Sequence, residues 1–201
     1  MNNIFPIVAI VIAYFIGNIS PAILIGKMML GIDIRSKGSG NAGATNTLRV
    51  LGKKAAFATL VIDVLKGVAA VLLGRYIGGQ YLAMACGMAV FIGHIWPMIF
   101  GFRGGKGIAT AFGTIVTLEP LLGLIYAIIG LSTVAISKKV SVGSLVSSIL
   151  FPVIAYFFDP KYLLWATAMA VIIIFKHRLN IKRLFKGEEP NLSFRKQEDK
   201  K

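Results

Sequence analysis

Long apolar runs separated by short polar stretches dominate this chain. Seven segments read as helices in hydrocarbon: Ile4–Gly26, Ala55–Gly74, Tyr81–Phe100, Ile108–Leu118, Leu121–Ile136, Val140–Phe158 and Tyr162–Phe175. A helix needs about 20 apolar residues to cross a bilayer core. The fourth segment is short, and Glu119-Pro120 separates it from the fifth. That dipeptide reads either as a turn or as a kink within one long span.

Composition agrees with the pattern. Hydrophobic residues make up 56% of the 201 residues and charged residues only 15%, with a mean hydropathy of +0.77. A soluble domain carries nearer a quarter charged residues, so the expectation is an all-α integral membrane protein forming one domain over 1–201. The first span lacks a basic n-region and a small-residue cleavage site, and reads as retained rather than as a signal peptide. Cys86 stands alone in an apolar run, with no cysteine to pair with.

The formal net charge of +14 would suggest nucleic acid in a soluble protein, but here it is first a topology signal. With seven spans, all but Arg75, Lys161 and the intramembrane Lys66 of the 22 Lys and Arg fall on one side. Merging the fourth and fifth segments divides them far more evenly. The positive-inside rule therefore selects seven spans, with the N-terminus outside and the C-terminus cytoplasmic. The polar tail, 188–201, is expected to be mobile on the cytoplasmic side. A basic juxtamembrane surface also attracts anionic lipids and substrates.

The polar stretch "RSKGSGNAGATNTLR", Arg35 to Arg49, then falls in the cytoplasm. Gly38, Gly40 and Gly43 spell G-x-G-x-x-G, but a dinucleotide turn must follow a strand, and this one follows a membrane span. Its anion chemistry survives that failure. Glycines allow backbone N–H groups to converge on one anion, while Ser39, Asn41, Thr45 and Asn46 add neutral donors. Lys37 and Arg49 add charge, and Asp33 is the one acid nearby. The plainer alternative is a flexible loop with basic flanks.

Two more stretches are expected at the same face. In "HIWPMIFGFRGGKGIAT", His94 to Thr110, Gly104, Gly105 and Gly107 surround Lys106. The fourth span starts directly afterwards, and a helix N-terminus suits phosphate. No Walker A loop can be aligned here; a short turn with topology-setting charges is the alternative. In "KHRLNIKRLFKGEE", Lys176 to Glu189, His177 and Asn180 sit where the last span ends, and Glu188 either pairs with neighbouring cations or acts directly. Asp63 and Lys66, three apart in the second span, are expected to form a structural ion pair. Ser141, Ser144 and Ser148 share one side of the sixth span, where small residues favour close packing; Ser141, nearest the cytoplasm, is placed to donate to a phosphate.

The two histidines, one cysteine and eight acids form no cluster at metal-ligand spacing, and no G-x-S-x-G elbow or H-x-x-x-x-D pair occurs. No metal or cofactor is expected.

Together "GSGNAGATNTLR", "HIWPMIFGFRGGKGIAT" and "HRLNIKRLFKGEE", with "DVLKG" at Asp63–Gly67, resemble the bacterial membrane-embedded acyl-phosphate:glycerol-3-phosphate acyltransferases of the PlsY type. The resemblance covers nearly the whole chain. It implies transfer of a fatty acyl group from acyl phosphate, not acyl-CoA, to the sn-1 hydroxyl of glycerol 3-phosphate. The products would be lysophosphatidic acid and phosphate, in the first acylation of phospholipid synthesis at the cytoplasmic face of the bacterial inner membrane. On that reading Ser39, Asn41, Thr45 and the backbone of Gly40 and Gly43 hold the acyl-phosphate head. Arg49 and Lys106 clamp phosphate. Gly104, Gly105 and Gly107 form the glycerol 3-phosphate side, and His177 and Asn180 orient a substrate. The base is either His177 or, favoured here, a substrate phosphate oxygen. Lipids are the only other partners expected, with no nucleic acid and no protein partner required. The competing classes are a transporter of an anionic solute and a scaffold for anionic lipids.

Overall fold

The computed structural model describes residues 4–192; the tail expected from Glu188 lies outside the described residues from 193 on. Among the described residues all regular structure is helical. The helices are α1 (Ile4–Asn18), α2 (Pro21–Leu30), α3 (Ala44–Leu51), α4 (Lys53–Ile95), α5 (Ile108–Leu118), α6 (Pro120–Ser137), α7 (Val140–Phe158), α8 (Leu163–Lys176) and α9 (Arg178–Phe185). Four stretches are long and apolar enough to cross a membrane: Ile4–Leu30, Lys53–Phe100, Pro120–Ser137 and Val140–Phe158. A fifth arises if Pro160–Lys176 and Arg178–Phe185, bent by 57°, form one broken span. By length and composition this is fewer than the seven expected.

Part of the difference lies in α4. It is helical throughout except at Gly78 (φ −151°) and Gly79 (φ 74°). In a straight helix Lys66 and His94 would lie about 42 Å apart, yet their side chains meet at 2.7 Å. The helix therefore folds back at the glycine pair, and the two arms correspond to the second and third expected segments. A Cβ on Gly74 would stand 2.6 Å from the Leu82 carbonyl oxygen; glycine is what lets the arms approach so closely.

The described residues form two compact units, one running through Gly113 and the other Thr114–Leu192; the boundary falls within α5. In the first, α1 turns Ala9, Ala13 and Gly17 inward and leaves Ile4, Phe5, Ile7, Val11 and Phe15 exposed. Small residues inside and large apolar ones outside invert the soluble pattern and match a helix surrounded by lipid. Gly17 packs on the Val90 carbonyl and Gly93 on the Tyr14 carbonyl, so α1 and the second arm of α4 touch backbone to backbone. The first expected span is broken at Ile19-Ser20, and Pro21, lacking an N–H, opens α2. The expected loop Arg35 to Arg49 is half helix, because α3 takes Ala44 onward.

In the second unit Gly143 of α7 lies against the Gly130 carbonyl of α6. Tyr126, Phe151 and Trp165 stack edge to face, at 5.4 and 6.0 Å, across α6, α7 and α8. Ser148 meets the Tyr126 hydroxyl at 3.3 Å, so at Ser148 the serine side of α7 packs on α6.

Gly93→Val is expected to destabilise the protein by about 1–3 kcal/mol, the usual cost of overpacking, seen as a lower melting temperature in detergent. An unchanged transition would mean that α1 and α4 do not need this approach.

Candidate active site

The first glycine loop is shaped by its own side chains. Asp33 starts a short 3-10 turn, Ile34–Ser36, and Ile34 is buried against Ala22, Ile23 and Ala42. Gly38 (φ 60°) and Gly40 (φ 72°) follow in left-handed geometry, which side-chain-bearing residues rarely adopt. Gly43 is extended (φ −151°) and starts α3, so the third glycine of the motif has no such need. The buried Asn46 side chain accepts from the Ser39 N–H at 2.8 Å and donates to the carbonyls of Ile34 and Lys37, each at 3.1 Å. Its amide thus staples the loop from inside, which differs from the outward donor that its position suggested. Ser39 and Gly40 are exposed, while Asn41, Gly43, Thr45 and Arg49 are half-buried.

The second loop is fixed by backbone. The Gly104 N–H donates to the Ile95 carbonyl at 3.2 Å and the Gly105 N–H to the His94 carbonyl at 3.1 Å. A Cβ on Gly105 would collide with His94 Nε2 and stand 2.9 Å from the Ala42 carbonyl oxygen; one on Gly107 (φ 84°) would enter the Phe91 ring. These glycines are therefore needed where they stand. Because Gly105 reaches Ala42, the structure brings the two loops together. Lys106 is half-buried between Gly105 and Gly107, and α5 begins one residue later, at Ile108. The first N–H groups of α5 have no partner within the helix, which favours an anion there.

Beneath the loops lies a buried charge cluster. Lys66 Nζ is 2.8 Å from Asp63 Oδ1, as the i,i+3 spacing led one to expect. His94 is its third member, with Nδ1 at 2.7 Å from Lys66 Nζ and 3.2 Å from Asp63 Oδ1. Lys66 also donates to the carbonyls of Gly17 (3.2 Å) and Ile19 (2.9 Å), at the break between α1 and α2. At that break the buried Asn18 accepts from the Ile99 N–H at 3.2 Å. Sequence reasoning passed over His94 and Asn18. The signal for both was polarity inside an apolar run, but their partners lie far along the chain.

The third stretch belongs to the second unit. Glu189, not Glu188, is the buried acid; Glu188 is exposed. Ser141 Oγ and Asn180 Nδ2 each donate to Glu189 Oε1 at 2.6 Å, and Arg183 Nε donates to Oε2 at 2.7 Å. Burial raises the Glu189 carboxyl, but the bonds from Ser141, Asn180 and Arg183 outweigh it and hold the group below the usual glutamate range. His177 is buried, and its Nδ1 lies 2.8 Å from the Ile173 carbonyl. A carbonyl only accepts, so Nδ1 carries a proton. Sequence reasoning found no carboxylate to orient this ring; a backbone carbonyl does it. Among the described residues no group of His, Cys, Asp or Glu could hold a metal ion.

Glycine loops at helix starts, beside Arg and Lys and set among membrane-length helices, define a helical membrane protein. The family model for glycerol-3-phosphate acyltransferase matches residues 7–187, and the chain belongs to that family. It is 47% identical over 190 residues to the glycerol-3-phosphate acyltransferase of Thermoanaerobacter sp. (strain X514), covering 94% of this chain and 96% of that one. It is 42% identical to that of Clostridioides difficile (strain 630), covering 95% and 97%. The crystal structure of PlsY (YgiH), an integral membrane glycerol 3-phosphate acyltransferase, superposes in its glycerol 3-phosphate form with a TM-score of 0.89 at 33% identity, covering 94% of this chain and 96% of that one. Its lysophosphatidic acid form gives 0.86 at 32%, with the same coverage.

Two outcomes are expected. Lys66→Met alone should cost about 3–5 kcal/mol, since it strands a buried carboxylate. The Asp63→Leu/Lys66→Met pair should recover much of that loss in a detergent melting assay, and a double variant as unstable as the sum of the singles would dissolve the ion-pair account. For Glu189, a depressed folded value means its contribution to stability is full above the ordinary glutamate range and disappears as pH falls through the folded value. The melting temperature of wild type should therefore drop more steeply below about pH 4.5 than that of Glu189→Gln, and parallel curves would contradict this.

Proposed function

We propose that this protein transfers a fatty acyl group from acyl phosphate to the sn-1 hydroxyl of glycerol 3-phosphate, releasing lysophosphatidic acid and inorganic phosphate. We place it in the bacterial inner membrane with seven spans, N-terminus outside, and the reaction at the cytoplasmic face. Family membership supports the acyltransferase reading, as do the glycerol 3-phosphate and lysophosphatidic acid forms of the similar PlsY. The observation that carries it is the contact of two glycine loops, Gly105 against Ala42, with Lys106 on the second and Arg49 on α3, the helix that the first loop opens. Two phosphates must come together in this reaction, and two anion loops in contact suit that need. The nearby acids do not compete: Asp33 is paired with Arg35 and Asp63 with Lys66.

In this reading Ser39, Asn41, Thr45 and the backbone of Gly43 receive the acyl-phosphate head; the Gly40 N–H is already given to the Lys37 carbonyl at 3.1 Å, so Gly40 supplies the left-handed turn rather than the donor expected of it. The Gly104–Gly107 loop lines the glycerol 3-phosphate side by its close backbone approach, since the Gly104 and Gly105 N–H groups are spent on the Ile95 and His94 carbonyls, and Arg49 and Lys106 stabilise charge on the phosphates. Asn46 shapes the first loop. In the second unit His177 and Asn180 offer hydrogen-bonding side chains for substrate, and Ser141 supports Asn180 through the shared Glu189 carboxylate. The hydroxyl oxygen attacks the acyl carbon, the bond to phosphate breaks, and phosphate departs with the electron pair. Acyl phosphate is a mixed anhydride with a good leaving group, so positioning and charge stabilisation supply most of the catalysis. The hydroxyl proton passes to a phosphate oxygen, whose second pKa of about 6 suits the task. His177 is the alternative base.

Purified protein given palmitoyl phosphate and glycerol 3-phosphate should release phosphate and form lysophosphatidic acid; palmitoyl-CoA in place of the donor should give no product. A transporter would release none in either case. Arg49→Ala and Lys106→Ala should each lower the rate about 10²–10³-fold, as losing an electrostatic stabiliser does. Near-wild-type rates in both would remove the clamp. His177→Gln should retain measurable turnover, whereas intact substrate binding with no chemistry would make the histidine the base.

A further inference from the structure

Arg35 stands three residues before Gly38, and a cation beside a phosphate-type loop suggests an anion ligand. Its geometry gives it another task. Nε donates to Asp33 Oδ1 and Oδ2 at 3.0 and 3.1 Å, and Nη2 donates to Oδ2 at 2.7 Å. The Arg35 backbone N–H also donates to Asp33 Oδ1, at 2.9 Å. Nη1 reaches across to the second loop and donates to the carbonyls of Phe100 (2.7 Å) and Arg103 (2.8 Å). Four of the five guanidinium protons are thus engaged by protein. One edge of the fork is held by the carboxylate, and the other grips two carbonyls that bracket a turn.

That turn is itself constrained. Gly101 (φ 66°) and Phe102 (φ 59°) are both left-handed, an unfavourable geometry for phenylalanine. The Phe102 N–H is tied to the Pro97 carbonyl at 2.8 Å, and the Arg103 carbonyl that Arg35 holds lies immediately before Gly104. The guanidinium therefore fixes where Gly104–Gly107 begins relative to Gly38–Gly43.

We infer that Asp33 and Arg35 are positioning residues: their clasp sets the register of the second glycine loop on the first, and with it the separation of the two bound phosphates. The inference rests on the proposed acyl transfer. A two-substrate displacement is sensitive to this separation, and an error of about 1 Å can cost about 10²-fold in rate. Lysine cannot replace the planar fork, because a point charge cannot grip a carboxylate and two carbonyls at fixed angles.

The test uses full-length protein in detergent and the variants Arg35→Lys, Arg35→Gln and Asp33→Asn. Arg35→Lys should lower kcat about 10–100-fold, leave the KM values for palmitoyl phosphate and glycerol 3-phosphate within about threefold, and leave the melting temperature nearly unchanged. Asp33→Asn should have a smaller effect, and the double variant should lose about as much as Arg35→Lys alone, since both act through one fork. Amide hydrogen exchange across 98–107 should speed up in Arg35→Lys. A rise in one KM at constant kcat would make Arg35 a substrate ligand and overturn the inference. So would an unchanged kcat, or a loss that only tracks the folded fraction. Unchanged exchange would overturn the clasp whatever the reaction. A wild-type protein that transfers no acyl group, with exchange still accelerated in Arg35→Lys, would remove the proposed reaction and retain the clasp as a loop-setting device.

Discussion

Lys66 carries its ammonium group into the interior of an apolar helical unit, where an unpaired charge is untenable. Everything around it answers that constraint. Asp63, three residues earlier on the same helix, supplies the opposite charge. The carbonyls of Gly17 and Ile19 accept from it at the break where α1 ends, so the cation also satisfies backbone groups that a broken helix leaves open. His94 closes the cluster from the far arm of α4, and the carbonyl of His94 receives the Gly105 N–H. One buried cation thus connects the α1–α2 break, both arms of α4 and the start of the second glycine loop.

Close backbone approach is the second theme, and it depends on missing side chains. Gly17 and Gly93 let α1 lie against α4, Gly74 lets the α4 arms meet, and Gly105 lets the second loop touch Ala42. In lipid the helices gain little from hydrophobic burial against one another, so contact between small residues carries much of the association.

Some polar side chains near the loops shape them. Asn46 looks like a ligand in the sequence and Arg35 stands beside the loop, yet their donors end on carbonyls and a carboxylate of the protein. Ser39 is exposed, and Thr45, Arg49 and Lys106 are half-buried. In the second unit the Glu189 carboxylate gathers Ser141, Asn180 and Arg183, which orders the turn after α9 and fixes the Asn180 amide. His177 is set by a backbone carbonyl and needs no acid of its own.

The apolar segments, the Asp63–Lys66 pair, the three polar stretches and the family they resemble are all legible along the chain. Each is a local property: a run length, an i,i+3 spacing or a string of glycines. The termini of α5 and α7 coincide with the expected segments because Gly, Pro and charge punctuate them there. Packing in three dimensions is what doubles α4 back at Gly78–Gly79, joins His94 to Lys66, bridges Arg35 to Phe100 and Arg103, and buries Glu189 rather than Glu188. None of these follows from spacing along the chain. They depend on which helix faces lie within hydrogen-bond reach once backbones close to contact, and residues 28 or 65 positions apart become neighbours only then.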